Sequence, residues 1–93
     1  MEFAVKKAEN CFAAAENYEY RIALADQDFL KLLEDNGADV RVNEQLRRPT
    51  FVAELPGGVR IKGLLARNVI KVGYLPTAAA TQKADFESWL SSL

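Results

Sequence analysis

The sequence predicts an α+β fold: a small antiparallel or mixed β-sheet of about five strands, with a C-terminal three-stranded meander and helices packed on one face. Some segments carry apolar residues at helical steps of three and four, whereas others alternate apolar and polar residues with the period of two that belongs to strands. The last strand segments follow one another directly, separated by short turns rich in Gly, Pro and Asn, and three consecutive antiparallel strands are the natural result.

Residues 3 to 16 place Val5, Ala8, Phe12 and Ala15 at steps of three and four, with Lys6, Lys7, Glu9 and Glu16 elsewhere. This spacing predicts a first amphipathic helix, ended by Asn17. Tyr18 to Leu24 then alternates: Tyr18, Tyr20, Ile22 and Leu24 face one way, Glu19 and Arg21 the other, as in a half-buried strand. Asp26 is a good N-cap, and Asp28 puts negative charge in the first turn, where the helix dipole favours it. A second helix is therefore expected from Gln27 to about Asn36, apolar at Phe29, Leu32 and Leu33 with Leu30 at the margin, and ended by Asn36-Gly37.

Val40 and Val42 form a short strand, followed by a loop or irregular edge from Asn43 to Arg48 and then Pro49. The meander runs through Phe51 to Leu55, the turn Pro56-Gly57-Gly58, Val59 to Ala66, a turn at Arg67-Asn68, and Val69 to Leu75. Pro76 stops it. A final helix, starting at Thr77 or Thr81, carries Phe86, Trp89, Leu90 and Leu93 at spacings of three, four and seven. The predicted order is α-β-α-β-β-β-β-α, without linker, low-complexity tract or internal repeat.

Ninety-three residues suit one domain, 1–93, and the 49% apolar and 27% charged content is that of an ordinary globular chain. No apolar run approaches a membrane span, and charges alternate near the N-terminus where a signal peptide would be apolar, so a cytoplasmic protein without membrane partners is expected. The single cysteine, Cys11, in the Ala-rich stretch Ala8 to Ala15, is expected to be a packing thiol in a reducing compartment. The chain has no histidine. Ser-His-Asp and Cys-His machinery and His-ligated zinc are thereby excluded, and one cysteine cannot supply a thiolate cluster, so neither a metal nor a cofactor is expected.

The charges are unevenly placed. Residues 1–40 hold nine acids and four bases, whereas residues 41–93 hold eight bases and four acids, and no acid occurs between Glu54 and Asp85. With Val59, Ile61 and Leu65 turned inward, Arg60, Lys62 and Leu64 turn outward, and with Ile70, Val72 and Tyr74 inward, Val69 and Lys71 turn outward. One sheet face then collects Arg60, Lys62, Leu64, Arg67, Val69 and Lys71, with Val52 beside them and Arg47 and Arg48 just upstream. Cations steer anions toward such a face, and the apolar residues between them resemble a mixed interface. The plainer account is that lysine and arginine solvate an exposed sheet and discourage edge pairing.

Other motifs have simpler readings. Pro56-Gly57-Gly58 precedes no helix N-terminus and matches no phosphate-loop pattern, so it is a hairpin turn. Asp26 and Asp28 diverge on a helix and are explained by capping, and Tyr18, Tyr20, Tyr74 and Trp89 are read as core more readily than as a ligand pocket. Phe51-Val52-Ala53-Glu54-Leu55 followed by Gly58 and Gly63-Leu64-Leu65 resembles the first signature of Sm-like RNA-binding barrels, but the Asp and Asn that should follow are missing. Arg47-Arg48 before the same strands resembles the opening of a PilZ domain, without its Asp-x-Ser-x-x-Gly portion. Neither resemblance covers a third of the chain, and neither family is adopted.

The reading that results is a small non-enzymatic protein-binding or adaptor domain. It is expected to form a homo-oligomer, with Val52, Leu64 and Val69 at the contact, or to dock on another protein. The alternative is a nucleic-acid or nucleotide binder using Arg60, Lys62, Arg67 and Lys71, disfavoured because no exposed aromatic is expected among these cations to stack on a base. An enzyme using carboxylates or tyrosines ranks third. Because no side chain has an ordinary pKa between about pH 6 and pH 8 when histidine is absent, the thermal midpoint is expected to stay nearly flat across that window. A melt series in which it moves by many degrees would instead expose a strongly shifted buried carboxylate.

Overall fold

A computed structural model describes residues 1–9, 12–45 and 47–93, residue 24 by its backbone alone. The inward side chain expected of Leu24 and the packing thiol expected of Cys11 lie outside the described residues. The strands are β1 (Ala4–Lys7), β2 (Glu16–Ala25), β3 (Asp39–Asn43), β4 (Thr50–Glu54), β5 (Arg60–Leu64) and β6 (Arg67–Tyr74). They form one open sheet in the order β1-β2-β6-β5-β4-β3, antiparallel throughout. Helices α1 (Gln27–Asp35) and α2 (Ala79–Ser91) cover one face, which makes the fold α+β. No helix among the described residues is long and apolar enough to cross a membrane.

Strand alternation decides what the helices cover. Tyr20 and Ile22 of β2, Ile70, Val72 and Tyr74 of β6, Ile61 of β5, and Phe51 and Ala53 of β4 share the inner face and are buried there. Phe29, Leu30 and Leu33 of α1 and Phe86 and Leu90 of α2 close over them. Each large apolar side chain so buried contributes about 1.5–3 kcal/mol. The Phe86 ring meets Tyr20 edge-on at 5.5 Å, and Trp89 links Phe86 at 5.6 Å to Phe29 at 6.2 Å, so the aromatic contacts join the two helices across the sheet.

Helix α1 has the ends its sequence signals. The Asp26 carboxylate accepts from the Phe29 N–H at 3.0 Å. At the other end Gly37, at φ +94°, donates to the Glu34 carbonyl while Ala38 donates to that of Leu33, a Schellman motif. Leu30 is buried and Leu32 is exposed, the reverse of their expected ranking. Helix α2 starts at Ala79, between the two expected starts, and its N-cap Ala78 makes no side-chain cap. Gln82 anchors it instead, accepting from the Leu75 N–H at 2.9 Å and donating to the Gly57 carbonyl at 2.8 Å.

Two sequence expectations are corrected. None of the described residues in 3–16 is helical: Ala4–Lys7 is the edge strand β1, Ala14 sits at φ +53°, and the element order among the described residues is β-β-α-β-β-β-β-α. The spacing of Val5, Ala8, Phe12 and Ala15 fits a helix, but the open edge of β2 offers the same backbone a ladder, with Val5 opposite Tyr20 and Lys7 opposite Tyr18. Asn17 then closes the loop, its amide oxygen accepting from the Phe12 N–H and its amide nitrogen donating to the carbonyls of Phe12 and Ala15. Likewise the turn before β6 is Leu65-Ala66, with Ala66 at φ +63°, and Arg67-Asn68 begins the strand. Strand β2 claims this region, since the Ala66 N–H donates to the Ala25 carbonyl and Arg67 pairs with Ala25 beyond a register shift after Arg21.

Gly63 faces the core beside Phe51, and a β-carbon there would lie 2.9 Å from Phe51 Cε1. Phe51 is itself buried and has little room to retreat. Gly63→Ala is therefore expected to cost about 1–3 kcal/mol as overpacking, read by urea denaturation. A variant as stable as the parent would show that the Phe51 ring rotates aside freely.

Candidate functional site

The outer face of the sheet, opposite the helices, is built by the alternate residues of the same strands. One row crosses all six: Lys6, Glu19, Lys71, Lys62, Val52 and Arg41 stand in register from β1 to β3. Lys62 and Lys71 are directly opposite each other, an arrangement that costs free energy unless the charges part. They part. Lys71 donates to the Glu19 carboxylate, which also holds Lys6 at 3.2 Å, while the Lys62 ammonium lies 5.0 Å from the centre of the Phe12 ring.

Beside this row lies a depression of about 660 Å³. Val52, Leu64 and Val69 supply its apolar surface, and Arg48, Arg67, Lys62 and Lys71 bring four cations to it. Its volume is within the range of ligand pockets, and its mixture of apolar surface and cations suits a partner that is itself anionic and partly apolar. Among the described residues no group of three or more acids or thiols is placed to hold a metal ion.

Of the six residues expected on this face, Lys62, Leu64, Arg67, Val69 and Lys71 come together around the depression. Arg60 does not line it. It sits two residues back along β5, where its guanidinium lies 5.5 Å from the Phe12 ring centre and its Nη2 3.5 Å from the Ala13 carbonyl. Arg48, Thr50, Asn68 and Gly63 also line the site. Thr50 and Asn68 were hidden by the strand limits assigned from sequence: Thr50 shares the outward alternation of Val52, and Asn68 was placed in a turn.

One aromatic, Phe12, does stand among the cations, but it is partly buried. Gly73 leaves the gap it fills: a β-carbon at Gly73 would lie 2.6 Å from Phe12 Cδ2. Arg60 and Lys62 approach the ring, its edge rests on the glycine, and the side chain is partly buried. Phe12 thus serves as a packing platform for the two cations, whereas a base-stacking residue needs a free ring face.

The inner face holds a second polar group. The Tyr20 hydroxyl donates to Glu87 Oε2 at 2.8 Å and lies 2.5 Å from the Tyr74 hydroxyl, which therefore donates to it. Lys83 reaches the same Glu87 oxygen at 2.7 Å and lies 5.1 Å from the Tyr18 ring centre. Burial pushes both tyrosines far above the ordinary phenol value, and each is fully enclosed. They tie α2 to β2 and β6 as part of the core, and their hydroxyls are closed to ligands.

No protein-family model, curated protein or solved structure matches this chain.

The hydrogen bond from Lys71, and next that from Lys6, holds the Glu19 carboxyl below its ordinary pKa. A lowered folded-state value means that the stabilisation is complete above the ordinary carboxylate value of about 4.3 and is lost as pH falls from there through the folded value. Glu19→Gln is expected to destabilise the protein by about 1 kcal/mol at pH 7, the upper end for partly exposed pairs. The gap between variant and parent, followed by thermal melts, is expected to narrow as the pH is lowered below the ordinary carboxylate value. A gap independent of pH would mean that Glu19 acts through packing alone.

Proposed function

We propose that this protein is a small non-enzymatic binding or adaptor domain that docks an acidic, partly apolar segment of another protein on the outer face of its sheet. The observation that carries this reading is the depression between Leu64, Val69 and Val52, bordered by Arg48, Arg67, Lys62 and Lys71, on the face that both helices leave open. The apolar surface supplies contact area, while the cations select the charge of what enters and raise its rate of encounter.

Two features favour protein over nucleic acid. The aromatic among the cations, Phe12, is engaged by Arg60, Lys62 and Gly73, so no stacking platform is presented to a base. The acidic first half of the chain also offsets the long-range field that draws a polyanion. The inner-face tyrosines give no support to an enzyme, because their hydroxyls are enclosed and held protonated by burial.

The test is fluorescence anisotropy with three labelled probes: a peptide alternating Glu with Leu and Phe, a polyglutamate of equal charge, and a single-stranded oligonucleotide. The mixed peptide is expected to bind most tightly, and Arg48→Glu with Arg67→Glu is expected to weaken it at least about tenfold, roughly the loss of 1.4 kcal/mol. Equal binding of both peptides would remove the role of the apolar surface. Tight oligonucleotide binding with a log–log salt slope near about −3, the value for three or four neutralised phosphates, would overturn the proposal in favour of nucleic acid.

A further inference from the structure

The sheet is open, so it has two edge strands, β1 and β3, and they are guarded differently. Strand β1 has four residues and ends in Lys6-Lys7, the kind of edge that resists further pairing. Strand β3, Asp-Val-Arg-Val-Asn, contains neither lysine nor proline, and Val42 is 40% exposed. An edge without lysine or proline and with Val42 exposed offers a row of backbone donors and acceptors to another strand.

The charges beside this edge select what pairs with it. Asp39 stands opposite Glu54 of β4, so two carboxylates adjoin on the outer face. Arg41 stands opposite the apolar Val52 and reaches Asp39 of its own strand at 3.6 Å, with both side chains largely exposed. The edge therefore presents an anion and, two residues on, a cation, joined to each other by one long, exposed contact that can be exchanged for contacts to a second copy. Residues paired across strands must share a sheet face, so an antiparallel copy of β3 can meet it across a two-fold axis only at single residues of the strand. An axis at Arg41 sets two arginines against each other. An axis at Val40 sets Asp39 of each copy against Arg41 of the other and brings the two Val40 side chains together on the inner face.

We infer that the protein forms a two-fold dimer by antiparallel pairing of β3 with β3 of a second copy, centred on Val40 and held in register by two reciprocal Asp39–Arg41 pairs. The inference stands on the edge and is independent of the depression, which stays open in such a dimer. It also replaces the outer-face contact through Val52, Leu64 and Val69 with one that avoids stacking two cation-bearing faces on each other.

Sedimentation equilibrium at roughly 100 μM, where weak interfaces are populated, is the test, with circular dichroism to confirm folding. The parent is expected to dimerise. Asp39→Arg and Arg41→Asp alone each turn two attractive pairs into two repulsive ones and are expected to raise the dimer Kd at least about tenfold. The double swap restores opposite charges across the axis and is expected to return the Kd to within about threefold of the parent. A monomeric parent overturns the inference, as does either single variant that dimerises like the parent or a double swap that stays monomeric. These outcomes are read without the peptide probes, so this inference and the docking proposal stand or fall separately.

Discussion

The pairing of β2 with β6 is the constraint on which the rest of the structure depends. It joins residues some fifty positions apart, and each of its two faces carries a polar link. Inside, Tyr20 and Tyr74 are brought to one hydroxyl contact and one carboxylate, which fixes α2 above the sheet. Outside, Glu19 is brought to Lys71, which frees Lys71 from the charge of Lys62. Without that pairing β1 would have no strand to join, and the outer face would lose the acid that balances its central lysines.

This central pair also explains why the sheet has one covered and one open face. Both helices extend from strands of this pair, α1 from the end of β2 and α2 after β6, and both fold onto the side bearing Tyr20, Ile70, Val72 and Tyr74. The opposite side keeps what alternation leaves there, a mixture of lysine, arginine, valine and leucine that is too apolar for solvation alone and too charged for a core.

Glycine placement sharpens the site in two different ways. At Gly63 the missing side chain admits Phe51 to the core, and both residues also line the depression on the other side. At Gly73 it admits Phe12 from the outside, and Phe12 then gathers Arg60 and Lys62. The cations of β5 are thus divided: Arg60 is engaged at the Phe12 end, and Lys62 stands between Phe12 and the depression.

By itself the sequence determined those elements whose local signals no distant partner contests. Asp26 and Gly37 bound α1, the alternation of Ile61, Ile70 and Val72 against Lys62 and Lys71 assigned the two faces, and the absence of histidine removed imidazole chemistry from the outset. Five of the six outer-face residues gather as the period of two requires, because strand alternation is a property of the backbone. Tertiary structure decided what depends on competition between distant partners. Ala4–Lys7 pairs as β1 because the edge of β2 satisfies its backbone, although the spacing of Val5, Ala8, Phe12 and Ala15 serves a helix equally well. Arg67-Asn68 enters β6 because Ala25 reaches across to it, and Arg60 meets Phe12 because Gly73, opposite it in the sheet, leaves room for that ring. In each case the free energy that decides lies in a contact between residues far apart in the chain, and periodicity within a segment carries no record of it.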